Sequence, residues 1–162
     1  MSQERDDKVY RFGDDNLLSN VITKNELRDC YDRFHEKSEF VYYHNKTTRK
    51  FLTVLLRKAR VRAGSSVLDV GCAVGFYTEQ MRRLGFQSVG LDISRVGILR
   101  GREKYPASLF FVGDAADMPI NDRSFDAIFM LGCSLTNTRD IQAIQIYLNR
   151  LMKFVRDDTM EF

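Results

Sequence analysis

The stretch that decides the fold is Val67-Leu68-Asp69-Val70-Gly71-Cys72-Ala73-Val74-Gly75-Phe76. It begins as a short apolar strand, turns at the glycines and opens a helix after Gly75. Gly71 can adopt a positive φ, and without a Cβ its backbone can approach a ligand closely. The helix that follows directs its free N–H groups and positive dipole end into the same crevice. The pattern therefore predicts a nucleotide-cofactor site at the end of this strand.

Carboxylates at three strand ends narrow the kind of cofactor. Asp69 repels a pyrophosphate and attracts a sulfonium or an amino group. Asp92 follows a second apolar strand, 21 residues (92 − 71) after Gly71, where an acid binds ribose hydroxyls. Asp114 follows a third strand, and its carboxylate can accept from an exocyclic amine while a neighbouring backbone N–H donates to a ring nitrogen. Because open α/β sheets bind ligands at the carboxyl ends of their strands, all three are expected to face one crevice.

The chain after Ser65 alternates short apolar strands with amphipathic helices. The predicted strands are 66–70, 87–91, 109–112 and 125–131, and the predicted helices are 75–84, 95–104 and 138–155. This order is typical of an α/β, Rossmann-like parallel sheet with helices on both faces. We expect residues 63–162 to form this domain, truncated after the fourth strand and its helix. Residues 1–62 are expected to form a helical N-terminal extension or lid.

The strand ends together resemble the class I S-adenosylmethionine-dependent methyltransferases. The similar segments are 68–75 for that family's first motif, 90–94 for the second, 113–119 for the third and 124–128 for the fourth strand. Each motif is weak alone, but their order and spacing together are fairly specific. The resemblance implies S-adenosylmethionine as the cofactor and in-line transfer of a methyl group to a small-molecule acceptor. Such a transfer needs no covalent nucleophile, and no metal site is predicted.

The resemblance also implies which residues bind the cofactor. They are Asp69, Gly71 and Ala73 around the methionine part, Asp92 at the ribose, and Asp114 and Ala115 at the adenine, with Cys72, Gly75, Ile93 and Leu131 beside them. Ala73 stands where the family usually has a glycine, and its methyl group is expected to cost some affinity.

Two other functions compete with this interpretation. A nicotinamide-dependent oxidoreductase would share the sheet and the ribose-binding acid, but it normally lacks an acid in the place of Asp69 and would have glycine at position 73. The sequence disfavours it. A non-catalytic or degenerate cofactor-binding domain, serving as an interaction module, is the stronger alternative. Binding without turnover would distinguish that domain from an enzyme.

The N-terminal region is where we expect acceptor recognition. Its aromatic segment consists of Tyr31, Phe34, Phe40, Tyr42, Tyr43 and His44, which would form either a lid over the cofactor or ordinary packing. His44 and Tyr43 are the candidates for a catalytic role, and both histidines of the chain, His35 and His44, are expected to be exposed.

A basic stretch without any acidic residue precedes the first strand. It consists of Lys46, Arg49, Lys50, Arg57, Lys58, Arg60 and Arg62. A solvated helix face is the simpler interpretation, and an acidic or phosphate-bearing substrate is the alternative.

Composition limits the number of domains and the membrane, disulfide, zinc and nucleic-acid roles that the chain could have. The 162 residues are 44% hydrophobic, which predicts one soluble domain with a real core. The longest apolar run, 127–131, is far short of the ~20 residues that span a bilayer. Residues 1–7 contain no signal-peptide core, and Cys30, Cys72 and Cys133 are too few and too scattered for disulfides or zinc, so a cytoplasmic location is predicted. A net charge of +3 is too small to indicate nucleic acid.

The end of the chain carries a prediction about assembly. Residues 158–162 resemble the first step of a fifth strand. Without that strand, the fourth would expose an unpaired apolar edge, which invites a partner strand. We therefore expect either a truncated protein or a homo-oligomer that forms through this edge.

Overall fold

The computed structural model describes residues 24–37, 46–131 and 141–156. Within them the elements are α1 (Lys24–Lys37), α2 (Lys46–Lys58), β1 (Ser66–Val70), α3 (Phe76–Arg83), β2 (Gln87–Asp92), α4 (Arg95–Lys104), β3 (Leu109–Val112), β4 (Ala127–Phe129) and α5 (Ile141–Met152). All four strands and all three helices predicted between residues 66 and 155 are present. No helix in this described part of the chain is long and apolar enough to cross a membrane.

The four strands form one parallel sheet in the order β3-β2-β1-β4. The chain first builds outward from β1 through β2 to β3 and then returns to the other side of β1 with β4. This reversal creates a switch point, where loops leave neighbouring strands in opposite directions and open a crevice. The prediction of a Rossmann-like α/β fold is confirmed.

Helices cover both faces of the sheet, as a doubly wound fold requires. On the face covered by α2 and α3, the buried apolar side chains are Leu52, Leu56, Val67, Met81, Phe86 and Phe129. On the face covered by α5 they are Leu68, Val70, Leu91, Ala115, Leu151 and Phe154. The strands alternate between the two clusters, so β1 is held from both sides and its carboxyl end is fixed in place.

β4 is shorter than the sequence predicts, and α5 ends at Met152 rather than at residue 155. After α5, the chain turns back toward the start of β4, where the Phe125 N–H donates to the Phe154 carbonyl at 2.9 Å. The Arg156 N–H donates to the Phe125 carbonyl at 2.9 Å, so Phe125 and Val155 form a parallel bridge. This single bridge lies just before β4. The predicted fifth strand at 158–162 lies outside the described residues.

α1 docks on the beginning of α4, next to the end of β2. The Asp32 carboxylate accepts hydrogen bonds from the Ser94 hydroxyl at 2.6 Å and from the Val96 N–H at 3.0 Å. Ser94 in turn caps α4 by accepting from the Gly97 N–H at 3.0 Å. A carboxylate at a helix N-terminus also meets the positive end of the helix dipole. This contact fixes α1 against the α/β domain.

His35 is buried, which contradicts the expectation that it is exposed. Only 2% of the residue is accessible, because α1 lays the ring against α4 at Gly97. A Cβ on Gly97 would come within 3.1 Å of the imidazole Cδ2. The polar sequence around His35 gave no sign of this, since the glycine that makes room for the ring is 62 positions away (97 − 35).

Candidate cofactor site at the carboxyl ends of the strands

In the turn after β1, every second residue adopts the left-handed backbone conformation. Its φ angles are 72° at Gly71, 52° at Ala73 and 76° at Gly75. The predicted positive φ of Gly71 is therefore observed. Glycine adopts this region freely, whereas an L-residue such as Ala73 does so at a cost of about 1–2 kcal/mol.

Gly75 is required for a second, independent reason. A Cβ at this position would lie 2.0 Å from Cε1 of Phe110, a buried residue of β3. Gly75 is also the N-cap of α3, so the helix begins directly against the sheet, as the sequence predicts. Its free N–H groups then point toward the crevice.

The end of β2 holds the turn in shape through its backbone and one side chain. The N–H groups of Gly71 and Cys72 donate to the Leu91 carbonyl at 2.8 and 3.1 Å. The Ala73 N–H donates to Oδ2 of Asp92 at 2.8 Å. The Gly75 N–H donates to the Cys72 carbonyl at 2.7 Å. Four N–H groups of the turn thus already have acceptors inside the protein, which leaves few to cradle a phosphate.

Asp92 is the residue that joins the two strand ends. It is 8% exposed, and its other oxygen, Oδ1, accepts from the Ser94 N–H at 2.8 Å. Burial raises the pKa of this carboxyl, while the backbone N–H groups of Ser94 and Ala73 oppose the rise. Each carboxylate oxygen can accept a second hydrogen bond. Asp92 can therefore support the turn and still bind a hydroxyl pair.

Asp69 is the most buried of the three carboxylates at the strand ends. It is fully buried, and its Oδ2 accepts from the Thr78 hydroxyl at 2.6 Å. Among the described residues, Oδ1 has no hydrogen-bond partner. Burial raises the pKa of Asp69 to about 7, and the nearby charge of Asp92 adds to the rise. A cation in the crevice would stabilise the charged form through this low-dielectric interior.

The end of β3 meets the N-terminal helix. Oδ1 of Asp114 accepts from the Ala116 N–H at 2.8 Å. Oδ2 forms an ion pair with the Lys24 ammonium at 3.0 Å, and Lys24 also pairs with Asp117. Ala115 is 1% exposed and packs in the core beneath the sheet edge. The first residue of α1 therefore reaches the strand end at which the sequence predicts the adenine.

The remaining predicted residues occupy less central positions. Cys72 is buried, and burial raises the pKa of its thiol well above the ordinary value, so the thiol is neutral and its role is packing. Ile93 is half-buried after β2. Leu131 is half-buried after β4 and packs toward α2. Tyr43 and His44 lie outside the described residues.

Three residues of this site carry signals too weak to find in the sequence. Thr78 lies in the first turn of α3, on the side facing β1, and only the fold shows that it binds Asp69. Lys24 and Asp32 belong to a polar helix whose sequence looks like that of an ordinary exposed helix. Lys24 pairs with Asp114 in the loop after β3, and Asp32 binds the start of α4; both partners are far along the chain.

Comparison with known proteins gives one family and several relatives. The family model described as "Methyltransferase domain" matches residues 67–157, more than half of the chain. A demethylmenaquinone methyltransferase of Tropheryma whipplei is 38% identical over 57% of this chain and 39% of that protein. A malonyl-[acyl-carrier protein] O-methyltransferase of Pectobacterium atrosepticum is 29% identical over 62% of this chain and 36% of that protein. The chain thus spans less than half the length of these curated relatives.

A solved structure agrees at the level of the fold. The TehB-like SAM-dependent methyltransferase of Corynebacterium glutamicum superposes with a TM-score of 0.55 at 18% identity. The alignment covers 83% of this chain and 68% of that one. At this identity the likeness concerns the arrangement of the sheet and helices.

Replacing Ala73 with glycine should stabilise the protein. The substitution removes a Cβ from the left-handed region, and we expect a gain of about 1 kcal/mol in the free energy of unfolding after the greater entropy of the unfolded glycine is subtracted. Urea unfolding measures this gain. The matched substitution Gly75→Ala should be strongly destabilising, because the new Cβ meets Phe110. A destabilised Ala73→Gly variant would contradict the observed turn.

Asp69→Asn should change how stability depends on pH. The folded pKa is about 7 and the ordinary value is 3.8, so the wild type loses stability as pH rises from about 4 to about 7. Asparagine does not titrate. The unfolding free energy of the variant minus that of the wild type should therefore increase by roughly 1–4 kcal/mol between about pH 5 and about pH 8. Urea unfolding across that range measures the difference, and a constant value would contradict the raised pKa.

Proposed function

The chain belongs to the methyltransferase-domain family, and from that premise we propose that it binds S-adenosylmethionine and transfers a methyl group to a small-molecule acceptor. S-adenosylmethionine supplies an activated methyl group on a sulfonium, which an acceptor takes by in-line displacement. The chain's own part is to bind, orient and exclude water, because no covalent nucleophile is needed.

The proposal rests on one observation: two buried carboxyl groups lie beside a turn in which four N–H groups are already hydrogen-bonded to the protein. Asp69 and Asp92 place two buried carboxyl groups at the crevice, and four of the turn's N–H groups bond within the protein. A dinucleotide pyrophosphate would meet repulsion from ionised carboxylates and would find few free N–H donors in the turn. A ligand that combines a ribose diol with a cationic centre suits the same surroundings.

The residues present fit such a ligand. The orphaned Oδ1 of Asp69 lies in a buried position where a neighbouring cation lowers the cost of its charge. Asp92 would accept the two ribose hydroxyls on its remaining lone pairs, with Ile93 beside it. Asp114 and the backbone of Ala115 would frame the adenine.

The N-terminal helix would close the adenosine end of the crevice. Lys24 already bonds the Asp114 carboxylate, and Asp32 holds α1 on the cap of α4. We therefore assign residues 24–37 to a lid, within an N-terminal extension of residues 1–62 next to the domain of residues 63–162. A cytoplasmic location and assembly through the edge of β4 stay predictions.

The acceptor is proposed from the names of the relatives. They act on demethylmenaquinone and on malonyl-[acyl-carrier protein], and both names support an organic acceptor of low polarity or a small carboxylate. A catalytic role for Tyr43 and His44 stays a prediction.

Titration with S-adenosylmethionine tests the proposal, with NAD as the comparison ligand. The full chain should bind S-adenosylmethionine and S-adenosylhomocysteine saturably and NAD not at all. Asp92→Asn removes a charged acceptor and should weaken S-adenosylmethionine binding roughly 10- to 100-fold, the equivalent of about 1.5–3 kcal/mol.

A matched control is available at the opposite edge of the sheet. Asp126 also binds a backbone N–H, that of Ser66 at 2.7 Å, and pairs with Arg156. Asp126→Asn should lower stability without changing cofactor affinity. Equal losses in both variants, or tight NAD binding, would contradict the site.

Turnover separates the enzyme from the alternative of a non-catalytic binding domain. Methyl-labelled S-adenosylmethionine is incubated with the full chain and with demethylmenaquinone or a malonyl thioester as acceptor. Label in the acceptor supports the enzyme. Saturable cofactor binding with no transfer to either acceptor would favour the binding module.

A further inference from the structure

α2 and the turn after it carry an unusual number of exposed cations. They are Arg49 near the start of the helix, Lys50, Arg57 and Lys58 on its outer face, and Arg60 and Arg62 after its end. No acidic residue occurs anywhere between Glu39 and Asp69. Within the part of the chain that the structure describes, none of the six forms a salt bridge.

Cations elsewhere in the described residues are largely used for internal contacts. Arg82 and Arg83 pair with Glu79, at 2.8 and 2.5 Å. Arg156 pairs with Asp126, and Arg102 donates to the Phe110 carbonyl at 2.6 Å. The contrast shows that the cations of α2 are not needed to hold the fold, and a surface of one sign without counter-charges favours an anionic partner.

The arrangement of these cations follows from the helical period. Leu52 and Leu56 are 0% and 3% exposed and fix the inner face of α2 against the sheet. Lys50, Arg57 and Lys58 lie along the opposite face, because spacings of seven and eight residues return to the same side of a helix. These three cations therefore share the helix face that is turned away from the core.

Apolar side chains stand among the cations. Val54 lies between Lys50 and Lys58 at four-residue spacing and is 42% exposed. Phe51, on the flank of the same face, is 52% exposed. Neither side chain is needed for the core clusters described above. Cations combined with an exposed aromatic and aliphatic side chain on one helix are the pattern of helices that lie on a membrane surface.

We propose that this face of α2 docks on an anionic phospholipid surface. The cations contact lipid phosphates, and Phe51 and Val54 enter the boundary between headgroups and acyl chains. The face is the convex side of a helix. One cavity among the described residues lies elsewhere, lined by Val74, Arg100, Glu103 and Lys104. A planar, deformable, uniformly anionic surface matches a convex layer of flexible cations better than a shaped partner does.

Vesicle flotation tests the proposal with the full chain. Vesicles of phosphatidylcholine alone are compared with vesicles that also contain phosphatidylglycerol, at low and high salt. The chain should float with the anionic vesicles only, and less at high salt. The triple variant Lys50→Gln, Arg57→Gln, Lys58→Gln should lower the partition coefficient roughly a hundredfold. Each cation near an anionic surface strengthens binding by roughly a factor of five, and the variant removes all three factors.

A matched control removes the same net charge from other exposed positions: Arg33→Gln, Arg95→Gln, Lys153→Gln. It should bind vesicles within a few-fold of the wild type. Equal weakening in both triples would overturn the proposal, because net charge alone would then explain the binding. So would an absence of binding to anionic vesicles by a folded wild type.

Phe51→Ser distinguishes a membrane from a soluble polyanion. Insertion of the ring predicts weaker vesicle binding by this variant and unchanged retention on polyglutamate or duplex DNA. Circular dichroism verifies that the variant is folded. Tighter binding of the wild type to either polyanion than to vesicles, with no effect of Phe51→Ser on vesicles, would assign the surface to an acidic protein or a nucleic acid instead.

Discussion

The carboxylate of Asp92 is the constraint on which the site depends. It accepts the Ala73 N–H from the turn after β1 and the Ser94 N–H from the start of α4. One side chain thus fixes both loops that leave the two central strands at this edge of the sheet. Ser94 then connects the same point to α1 through Asp32. The turn, the cap of α4 and the N-terminal helix share one anchor.

Burial gives the two carboxylates of the crevice their chemical character. Asp69 and Asp92 both lie in the interior, and burial raises the pKa of each carboxyl group above its ordinary value. Neighbouring acids in a low dielectric favour a cationic ligand, since it offsets their mutual repulsion. The proposed cofactor carries positive charges on its sulfonium and amino group, so the same feature that costs stability in the free protein favours binding of that part.

The sequence predicted the elements of the α/β domain because strand and helix periodicities, glycines and Pro106 mark them locally. It also placed Asp69, Asp92 and Asp114 at one edge, since parallel strands bring their carboxyl ends together. It could not predict the contacts made across the chain. The burial of His35, the pairing of Lys24 with Asp114 and the return of Val155 to Phe125 all join segments distant in sequence. Local sequence patterns do not identify contact partners that are distant in the chain.

A crystal structure of the full chain with S-adenosylhomocysteine would show where the ligand lies relative to these carboxylates. We expect the two ribose hydroxyls within hydrogen-bond distance of the Asp92 carboxylate, the adenine beside Asp114 and the amino group toward Asp69. The left-handed turn at Ala73 should be unchanged. A ligand bound elsewhere, such as the cavity at Val74 and Arg100, with the Asp92 carboxylate facing only protein, would contradict this expectation.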